Sequence, residues 1–307
     1  MLLDKILAWK PVAVVIGLSK KIVLPGFDGM PLHDVAVFFF KGLYQGYLTS
    51  RASAISFNFF LAIFPSLIFF FTIIPFIPIN NFQQSLLDLI RDFLPQTAYA
   101  TVQVTVEDIV TRPRGGLLSI GFILSLYFAT NGINSLIEAF NNTSHIIVER
   151  SVIKQRLISI FLLLIISILL IIAIGLITFG PWLLSVILPQ VVFESRVYYA
   201  GILVLKWIIT VAMLFFTISF IYYFAPAKRR QFRFISAGSS LATLLIVITT
   251  LGFNFYVDNF SKYNALYGSI GTLLVILLWI YFNAISILIG FELNASIFRA
   301  VKDRKSG

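Results

Sequence analysis

The sequence predicts an all-α, polytopic membrane protein with six transmembrane helices, an interfacial amino-terminal helix, and a helical external cap between the first two spans. Composition supplies the first reason, because 59% of the 307 residues are hydrophobic and only 12% are charged, whereas soluble domains carry roughly 25% charged residues. The mean hydropathy of +0.96 points the same way. Such a chain has too little polar surface for a water-soluble globule, so lipid must be its main solvent.

Six segments supply the second reason, because each holds the roughly 20 mainly apolar residues that a helix needs to cross a bilayer. Their approximate bounds are 53–76, 116–140, 157–179, 199–224, 234–257 and 270–289, with the last helix continuing to about 298. The fifth segment is the weakest by hydropathy, because it carries many serines and threonines.

The distribution of Lys and Arg gives the orientation. Of the 23 basic residues, 17 fall before the first span, between spans 2 and 3, between spans 4 and 5, and after span 6. Cytoplasmic segments carry the excess of positive charge in membrane proteins, so both termini are predicted to be cytoplasmic. The same rule explains the net charge of +10, and no nucleic-acid partner is expected.

We expect three regions along the chain, namely an arm at 1–33, a six-span membrane domain at 34–298, and a basic cytoplasmic tail at 299–307. The arm has a short apolar stretch after Lys5 and Lys10. This stretch lacks the length and the cleavage site of a signal peptide. We therefore interpret the arm as cytoplasmic or interfacial.

Two amphipathic patterns lie outside the spans. In residues 34–48, polar and apolar side chains fall on separate helical stripes, which predicts a helix lying on the membrane surface. Within residues 80–114, apolar side chains recur at helical spacing before and after Pro95. Two amphipathic helices would satisfy that pattern, and we expect them to cap the outer face.

Polar side chains within the spans are the candidates for a substrate path, because they are costly in lipid and usually face a bundle interior or a water-filled cavity. They are Arg51, Asn58, Asn131, Asn134, Glu138, Asn254, Asp258, Asn283, Glu292 and Asn294. Ionic groups are absent from the centres of the predicted spans, which argues against a proton- or sodium-driven pump. Pro65 removes a backbone hydrogen bond within the first span and is predicted to bend that helix.

The connection between spans 5 and 6, NFYVDNFSKYNALYGSIG at 254–271, is the most informative stretch. Asn and Asp favour turns, Gly allows backbone geometry that other residues avoid, and Tyr suits the membrane interface. The candidate gate residues of this connection are Asp258, Asn259, Tyr263, Asn264, Tyr267 and Gly268. A structural turn and a ligand-binding gate both explain this composition.

Each of these candidates has a simpler explanation. Close helix packing accounts for small and hydroxylated residues within a span. Glu138 and Glu292 lie near the cytoplasmic boundary, where a salt bridge with a neighbouring Arg or Lys would account for them. Both explanations stay open at this point.

The residue types present exclude several kinds of chemistry. The chain has no cysteine, which excludes disulfides, iron–sulfur clusters and cysteine nucleophiles. His33 and His145 are its only histidines and leave little for a metal site. Phosphate-binding loops, nucleophile elbows and H-x-E signatures are missing from the sequence. We expect neither an enzyme nor a cofactor.

Four ordered patches resemble the YihY/BrkB family of bacterial inner-membrane proteins. They are SRASAISFNFFLAIFPSLIFF (50–70), GLLSIGFILSLYFATNGINSLIEAFN (116–141), NFYVDNFSKYNALYGSIGTLLVILLWIY (254–281) and GFELNAS (290–296). The resemblance implies six spans with both ends in the cytoplasm. It also implies a candidate transporter, with lipid export or handling among the suggested roles. The older labels ribonuclease BN and virulence factor are attached to the same family.

Three functions are compatible with these observations. The first is translocation of an amphiphile, a lipid in our interpretation, through a polar groove lined by spans 1, 2, 5 and 6. The second is a membrane scaffold that transports nothing and serves envelope biogenesis, since packing alone explains polar stripes. The third and least supported is a membrane-bound ribonuclease, because the acid or histidine clusters of metal-dependent nucleases are missing.

The expected partners are membrane lipids. Anionic headgroups would be attracted to the cytoplasmic basic residues at about 1 kcal/mol each. These residues are Arg51, Arg150, Lys154, Arg156 and the run 228–230. A homo-oligomer and envelope partner proteins both remain open.

Overall fold

The computed structural model describes most of each span and parts of the segments between them. The described residues are 17–78, 83–84, 87, 107–108, 110–143, 146–147, 151–187, 196–227, 233–259 and 269–306. Most of the predicted external cap therefore lies outside the described residues, and so do Tyr263, Asn264, Tyr267 and Gly268. Nothing is described of the side chains of Asp258 and Asn259.

The described chain is built of helices. Their bounds are α1 Leu32–Gln45, α2 Leu48–Ile73, α3 Gly115–Asn141, α4 Val152–Ile187, α5 Arg196–Phe224, α6 Ala237–Asn259 and α7 Ser269–Ser306. A single 3-10 turn, Ile74–Phe76, follows α2. Two strands of two residues each, β1 Asn142–Thr143 and β2 Ile146–Ile147, pair antiparallel between α3 and α4. The predicted all-α class is confirmed.

Six of the described helices are long and apolar enough to cross a membrane, as predicted. Their candidate spans are Leu48–Phe76, Gly115–Asn141, Val152–Gly180, Ala200–Phe224, Ala237–Tyr256 and Leu273–Arg304. The first of these continues through Pro65 without a break in the helix. The bend predicted at Pro65 stays a prediction.

The last helix is longer than the sequence suggested. It has 38 residues, which at 1.5 Å per residue gives about 57 Å, whereas the hydrocarbon core is about 30 Å thick. One end of α7 must therefore extend beyond the bilayer. The helix continues through the predicted tail, where Arg299 and Asp303 form an ion pair of 3.2 Å at helical spacing.

The chain divides into two compact units, Met1–Ser56 with Ile133–Gly307, and Phe57–Gly132. Within the second unit, small residues allow close helix approach. A side chain at Gly121 would lie 3.2 Å from Ile68, and one at Gly132 would lie 3.1 Å from the ring of Phe59. Small residues at such crossings are typical of helix pairs in membranes.

In the first unit, neighbouring helices run antiparallel, so that their buried segments meet at one end. The ring of Phe161 near the start of α4 lies 5.1 Å from that of Phe224 at the end of α5. The backbone of Gly238 at the start of α6 bonds to Asn294 late in α7. We call this region, which contains Phe140, Leu162, Tyr222, Gly238 and Glu292, the packed end.

Burial decreases away from the packed end. Among the described residues, α4 has no buried residue after Leu162, α5 has none before Ile218, and α6 has none after Ile246. Residues 273–283 of α7 are likewise exposed or half-buried wherever their side chains are described. The other half of the first unit therefore presents much of its apolar surface to the surroundings.

Candidate functional site

The most deeply buried charges of the described residues lie at the packed end. The Nη2 atom of Arg51 lies 3.6 Å from Oε2 of Glu292, and the two side chains are 10% and 0% exposed. The Nη1 atom of Arg51 also donates to the carbonyl oxygens of Ala139, at 3.1 Å, and Asn142, at 3.4 Å. One guanidinium therefore joins the start of α2 to α7 and to the end of α3.

A glycine makes room for the buried carboxylate. Gly42 of α1 lies against Glu292, and a Cβ atom at this position would stand 2.8 Å from Cδ and 2.9 Å from Cγ of the glutamate. Contacts that short essentially never occur between a Cβ and other heavy atoms. The close packing of α1 on α7 at this level therefore depends on the missing side chain.

The second polar contact of the packed end joins α6 to α7. Asn294 accepts a hydrogen bond from the backbone nitrogen of Gly238 at 2.8 Å and donates one to Oγ of Ser236 at 2.9 Å. Gly238 also lies directly against Gly290, so that a Cβ on either residue would overlap the backbone carbonyl of the other. The GFELNAS patch thus has a structural role in fixing the start of α6.

An aromatic cluster fills the space between these polar contacts. The rings of Phe140 and Phe291 stack with centroids 4.0 Å apart, and the ring of Tyr222 lies edge-on to both at 5.6 Å. The hydroxyl of Tyr222 donates to the carbonyl of Ile287. Sequence reasoning missed this cluster, although two of its rings belong to the IEAFN and GFELNAS patches.

Two further candidates, Asn134 and Glu138, form a group with a residue that the sequence did not single out. Asn134 Nδ2 donates to Glu138 Oε1 at 2.8 Å. Gln155 at the start of α4 donates to Oδ1 of Asn134 at 2.8 Å and to Oε1 of Glu138 at 3.2 Å. The carboxylate of Glu138 therefore accepts from two amides, and the one of Gln155 joins α4 to α3.

Several hydroxyl groups of α6 and α7 bond to their own helix. This holds for Ser240, Thr243, Ser286 and Ser296, each of which donates to the carbonyl four residues earlier. Such bonds satisfy the hydroxyls locally. One contact between helices is the 3.3 Å approach of Thr249 and Ser286. These hydroxyls need no ligand to explain their presence.

Two amides lie in the less packed half of the first unit. Asn254 of α6 is exposed. Asn283 of α7 is half-buried and donates to the carbonyl of Trp279 at 2.7 Å. Its Oδ1 atom is buried, and no described residue offers it a hydrogen bond. Within the part of the chain that the structure describes, neither side chain joins the contacts that occupy Arg51, Glu292 and Asn294.

Two of the remaining candidates belong to the second unit. Asn58 and Asn131 lie in the second unit and are half-buried. Within the described residues, no group of three or more His, Asp or Glu side chains could hold a metal ion. The proposed substrate path and gate stay predictions for all of these residues.

The fold and these contacts define a class, an α-helical membrane protein with six described helices that are long and apolar enough to cross a bilayer. A family model described as Virulence factor BrkB matches residues 39–307. The chain therefore belongs to the BrkB family, and the resemblance predicted from the four patches is confirmed.

Similar proteins span the length of this chain. It is 31% identical over 268 residues to the ribonuclease-like protein YfkH of Bacillus subtilis (strain 168), a match that covers 86% of this chain and 96% of the relative. It is 23% identical to the UPF0761 membrane protein NTHI0384 of Haemophilus influenzae (strain 86-028NP), over 87% of this chain and 96% of the relative. No solved structure matches the chain.

A match over a shorter part of the chain has a higher sequence identity. Over 86 residues, the chain is 37% identical to the UPF0761 membrane protein xcc-b100_3490 of Xanthomonas campestris pv. campestris (strain B100), a match that covers 28% of this chain and 20% of the relative. Two of these relatives are named as membrane proteins, which agrees with the six apolar helices. The ribonuclease-like name belongs to the Bacillus subtilis relative.

Proposed function

We propose that this protein moves an amphiphilic molecule, namely a lipid, along α6 and α7 of the first unit. The observation that carries the proposal is the contrast between the two halves of this unit. The packed end is filled by mutually bonded groups, whereas Asn254 and Asn283 lie where burial has decreased. Amides can bind a polar headgroup at membrane depth without the cost of a buried charge.

The spacing of the amides suits a headgroup that crosses the bilayer in steps. At 1.5 Å per residue, Asn283 lies about 13 Å along α7 from Glu292, and Asn254 lies about 24 Å along α6 from Gly238. A headgroup held at these depths would leave its acyl chains against the exposed apolar residues of the same helices. Ile248 and Leu251 of α6 are examples of such residues.

The proposed location is the inner membrane of a bacterial cell, with both termini and the packed end in the cytoplasm. The basic residues support this orientation, because 17 of 23 belong to the segments that six alternating spans would place on one side. The less packed half of the first unit then faces the outer leaflet. Lipids are the proposed partners, with anionic headgroups at the cytoplasmic face.

We also propose that the chain is no enzyme, although one relative has a ribonuclease-like name. The support is chemical, because metal-dependent phosphodiester cleavage requires clustered acids or histidines that hold an ion. The sequence has two histidines and no cysteine. RNA hydrolysis that needs Mg²⁺ or Mn²⁺ and copurifies with the detergent-solubilised protein would contradict this proposal.

A membrane scaffold is the second candidate function. It is favoured by the hydroxyls of α6 and α7, which bond to their own helices and therefore need no substrate. The two candidates differ in one measurable property. A scaffold leaves the distribution of lipid between the two leaflets unchanged.

Lipid translocation in proteoliposomes tests both candidates. The purified chain is reconstituted with a fluorescent phospholipid, and an impermeant reductant reports the fraction that reaches the outer leaflet. We expect faster translocation than in protein-free vesicles, and a loss of most of this gain in Asn254→Leu and Asn283→Leu. The matched control is Thr217→Val, because the Thr217 hydroxyl bonds to Met213 of its own helix.

Each outcome decides between the candidates. Protein-containing vesicles no faster than empty ones would favour the scaffold and refute transport for the lipid tested. Fast translocation in both amide variants, at unchanged protein abundance, would refute the proposed path along α6 and α7. Equal loss in Thr217→Val would show that any polar deletion disturbs the bundle and would likewise refute that path.

A further inference from the structure

A cavity of about 60 Å³ lies at the packed end, between the loop that precedes α1 and the start of α6. The residues that line it include Gly26, Asp28, Arg233, Ser236 and Asn294. This space would hold about four or five water molecules, a number close to the five heavy atoms of a phosphate group. All of the lining residues belong to the first unit.

The cavity has a cation at its rim. Arg233 Nη2 lies 2.8 Å from Oδ1 of Asp28, and the two side chains are 70% and 33% exposed. An ion pair this exposed contributes little to stability and is easily replaced. The planar guanidinium binds phosphate oxygens in a bidentate manner, so a phosphate group is a strong competitor for Asp28.

The start of α6 forms another part of the cavity wall. The wall includes Ser236, which precedes α6, a helix of 23 residues whose amino-terminal end carries a partial positive charge. Asn294, only 6% exposed, holds Ser236 Oγ in place through its Nδ2 atom at 2.9 Å. Ser236 Oγ also accepts from the backbone nitrogen of Ser239 and donates to Ser239 Oγ, both at 3.1 Å, so the guanidinium of Arg233 is the group of this wall that would bind an anion.

Asp28 is held over the cavity by the shape of its loop. Its φ angle of 53° is in the left-handed region, as are those of Gly26 at 86° and Gly29 at 79°. The loop packs directly on the start of α6, because a Cβ at Gly26 would lie 3.4 Å from that of Ala237. The carboxylate of Asp28 is therefore placed where an external anion would bind Arg233.

Exposed apolar residues lie next to the lining residues in sequence, and Ile297, Phe298 and Val301 line the cavity itself. Leu24 lies two residues before Gly26, and Ile235 directly precedes Ser236. Both are exposed, as are Ile22 and Val23. A ligand with a charged headgroup and hydrocarbon chains fits this arrangement better than a free inorganic ion does, because the apolar residues would contact the chains.

We propose that this cavity binds the phosphate headgroup of an anionic phospholipid at the cytoplasmic boundary. When the lipid is absent, Asp28 forms the ion pair with Arg233 instead. The inference rests on the proposed handling of an amphiphile and specifies its headgroup. Binding is measured without transport, so that the two proposals can fail separately. Intact binding with no translocation would refute the transport proposal alone.

The test is binding of fluorescent phosphatidylglycerol to the full chain in a neutral detergent, with phosphatidylcholine and inorganic phosphate as competitors. We expect phosphatidylglycerol to bind more tightly than phosphatidylcholine. Arg233→Gln should weaken its binding about fivefold, and Asp28→Asn should strengthen it about fivefold, since one charge near a membrane surface is worth about that factor.

The matched controls are Arg299→Gln and Asp303→Asn. These residues form another exposed ion pair of 3.2 Å, with side chains 44% and 45% exposed, and their substitution changes the net charge by the same amounts. We expect both controls to bind the lipid as the wild type does. Equal effects in the controls would refute the site and show a general charge effect.

Two further results would overturn the proposal. Equal affinity for the two phospholipids would refute recognition of an anionic headgroup. Competition by inorganic phosphate as effective as that by the unlabelled anionic lipid would show that the cavity binds phosphate alone, which refutes the lipid. Asp28→Asn keeps the test decisive if Arg233→Gln does not fold.

Discussion

Arg51 near the start of α2 and Glu292 in α7 come from opposite ends of the sequence, yet their Nη2 and Oε2 atoms lie 3.6 Å apart and largely out of solvent. Two backbone carbonyls, those of Ala139 and Asn142, also accept hydrogen bonds from the guanidinium. A buried ion pair of this kind stabilises a fold only as long as both charges remain.

Removing one charge of this pair should destabilise the protein. In Glu292→Gln, Arg51 stays buried without its opposite charge, and we expect the free energy of unfolding to fall by about 3–5 kcal/mol. Reversible unfolding in mixed detergent micelles measures this change. The control Asp303→Asn removes an exposed carboxylate and should change stability little.

The double variant Arg51→Gln with Glu292→Gln tests the pairing itself. Residues in direct contact are coupled, so the double substitution should cost less than the sum of the two single ones. Additive losses would contradict the ion pair.

A second prediction concerns the crossing of α6 and α7. Gly238→Ala places a methyl group into the carbonyl of Gly290 and within 2.5 Å of Asn294 Cγ. We expect a loss of thermal stability, since both neighbours are backbone or hydrogen-bonded groups that have little freedom to move. Gly252→Ala on the same helix is the control, because open space surrounds that position. Equal melting temperatures for the two variants would contradict the close crossing.

The register of α6 against α7 can be tested by a disulfide. The hydroxyl oxygens of Thr249 and Ser286 lie 3.3 Å apart, and the native chain contains no cysteine. We expect Thr249→Cys with Ser286→Cys to cross-link under mild oxidation, because cysteines at such a spacing approach disulfide geometry. The cross-link is detected after cleavage of the connection between the helices.

The matched pair for this experiment is Thr250→Cys with Ser286→Cys. A shift of one position rotates the cysteine about 100° around α6, so cross-linking should be much weaker. A stronger cross-link from Thr250 would mean that the register is wrong.

The predicted orientation can be tested by labelling with a membrane-impermeant maleimide. Lys302→Cys lies in the predicted tail and Arg114→Cys lies in the connection before α3. We expect intact cells to label the second variant, and the first to react only after permeabilisation, because 17 of 23 basic residues place the termini inside. Labelling of Lys302→Cys in intact cells would reverse the orientation.

The number of spans followed from the sequence because hydropathy is a local property of each segment. The ends of the helices did not follow from the sequence. The sequence placed the third span at 157–179, whereas α4 runs from Val152 to Ile187. Helices continue beyond the hydrocarbon core wherever their backbone bonds are satisfied, and an apolar window does not detect such extensions.

The candidate site was partly visible in the sequence. Glu292 and Asn294 were singled out because polar groups are costly in lipid, and for Glu292 the structure shows the ion pair that the salt-bridge explanation expected. Their partners Gly42, Ser236 and Gly238 carry no motif of their own. The role of Gly42, which leaves space for the Glu292 carboxylate, is recognisable only when the packing of α1 on α7 is known.

The amino-acid sequence alone determined that this is a six-span helical membrane protein of the BrkB family. The length of the apolar segments, the placement of basic residues and the four ordered patches can all be recognised without knowing how the helices pack. Tertiary structure alone decided that the buried polar groups of α6 and α7 bond to one another at one end. It also placed Asp28 against Arg233 over a small cavity. The physical reason is that a hydrogen bond or ion pair between distant residues depends on how the helices cross, which local sequence does not specify.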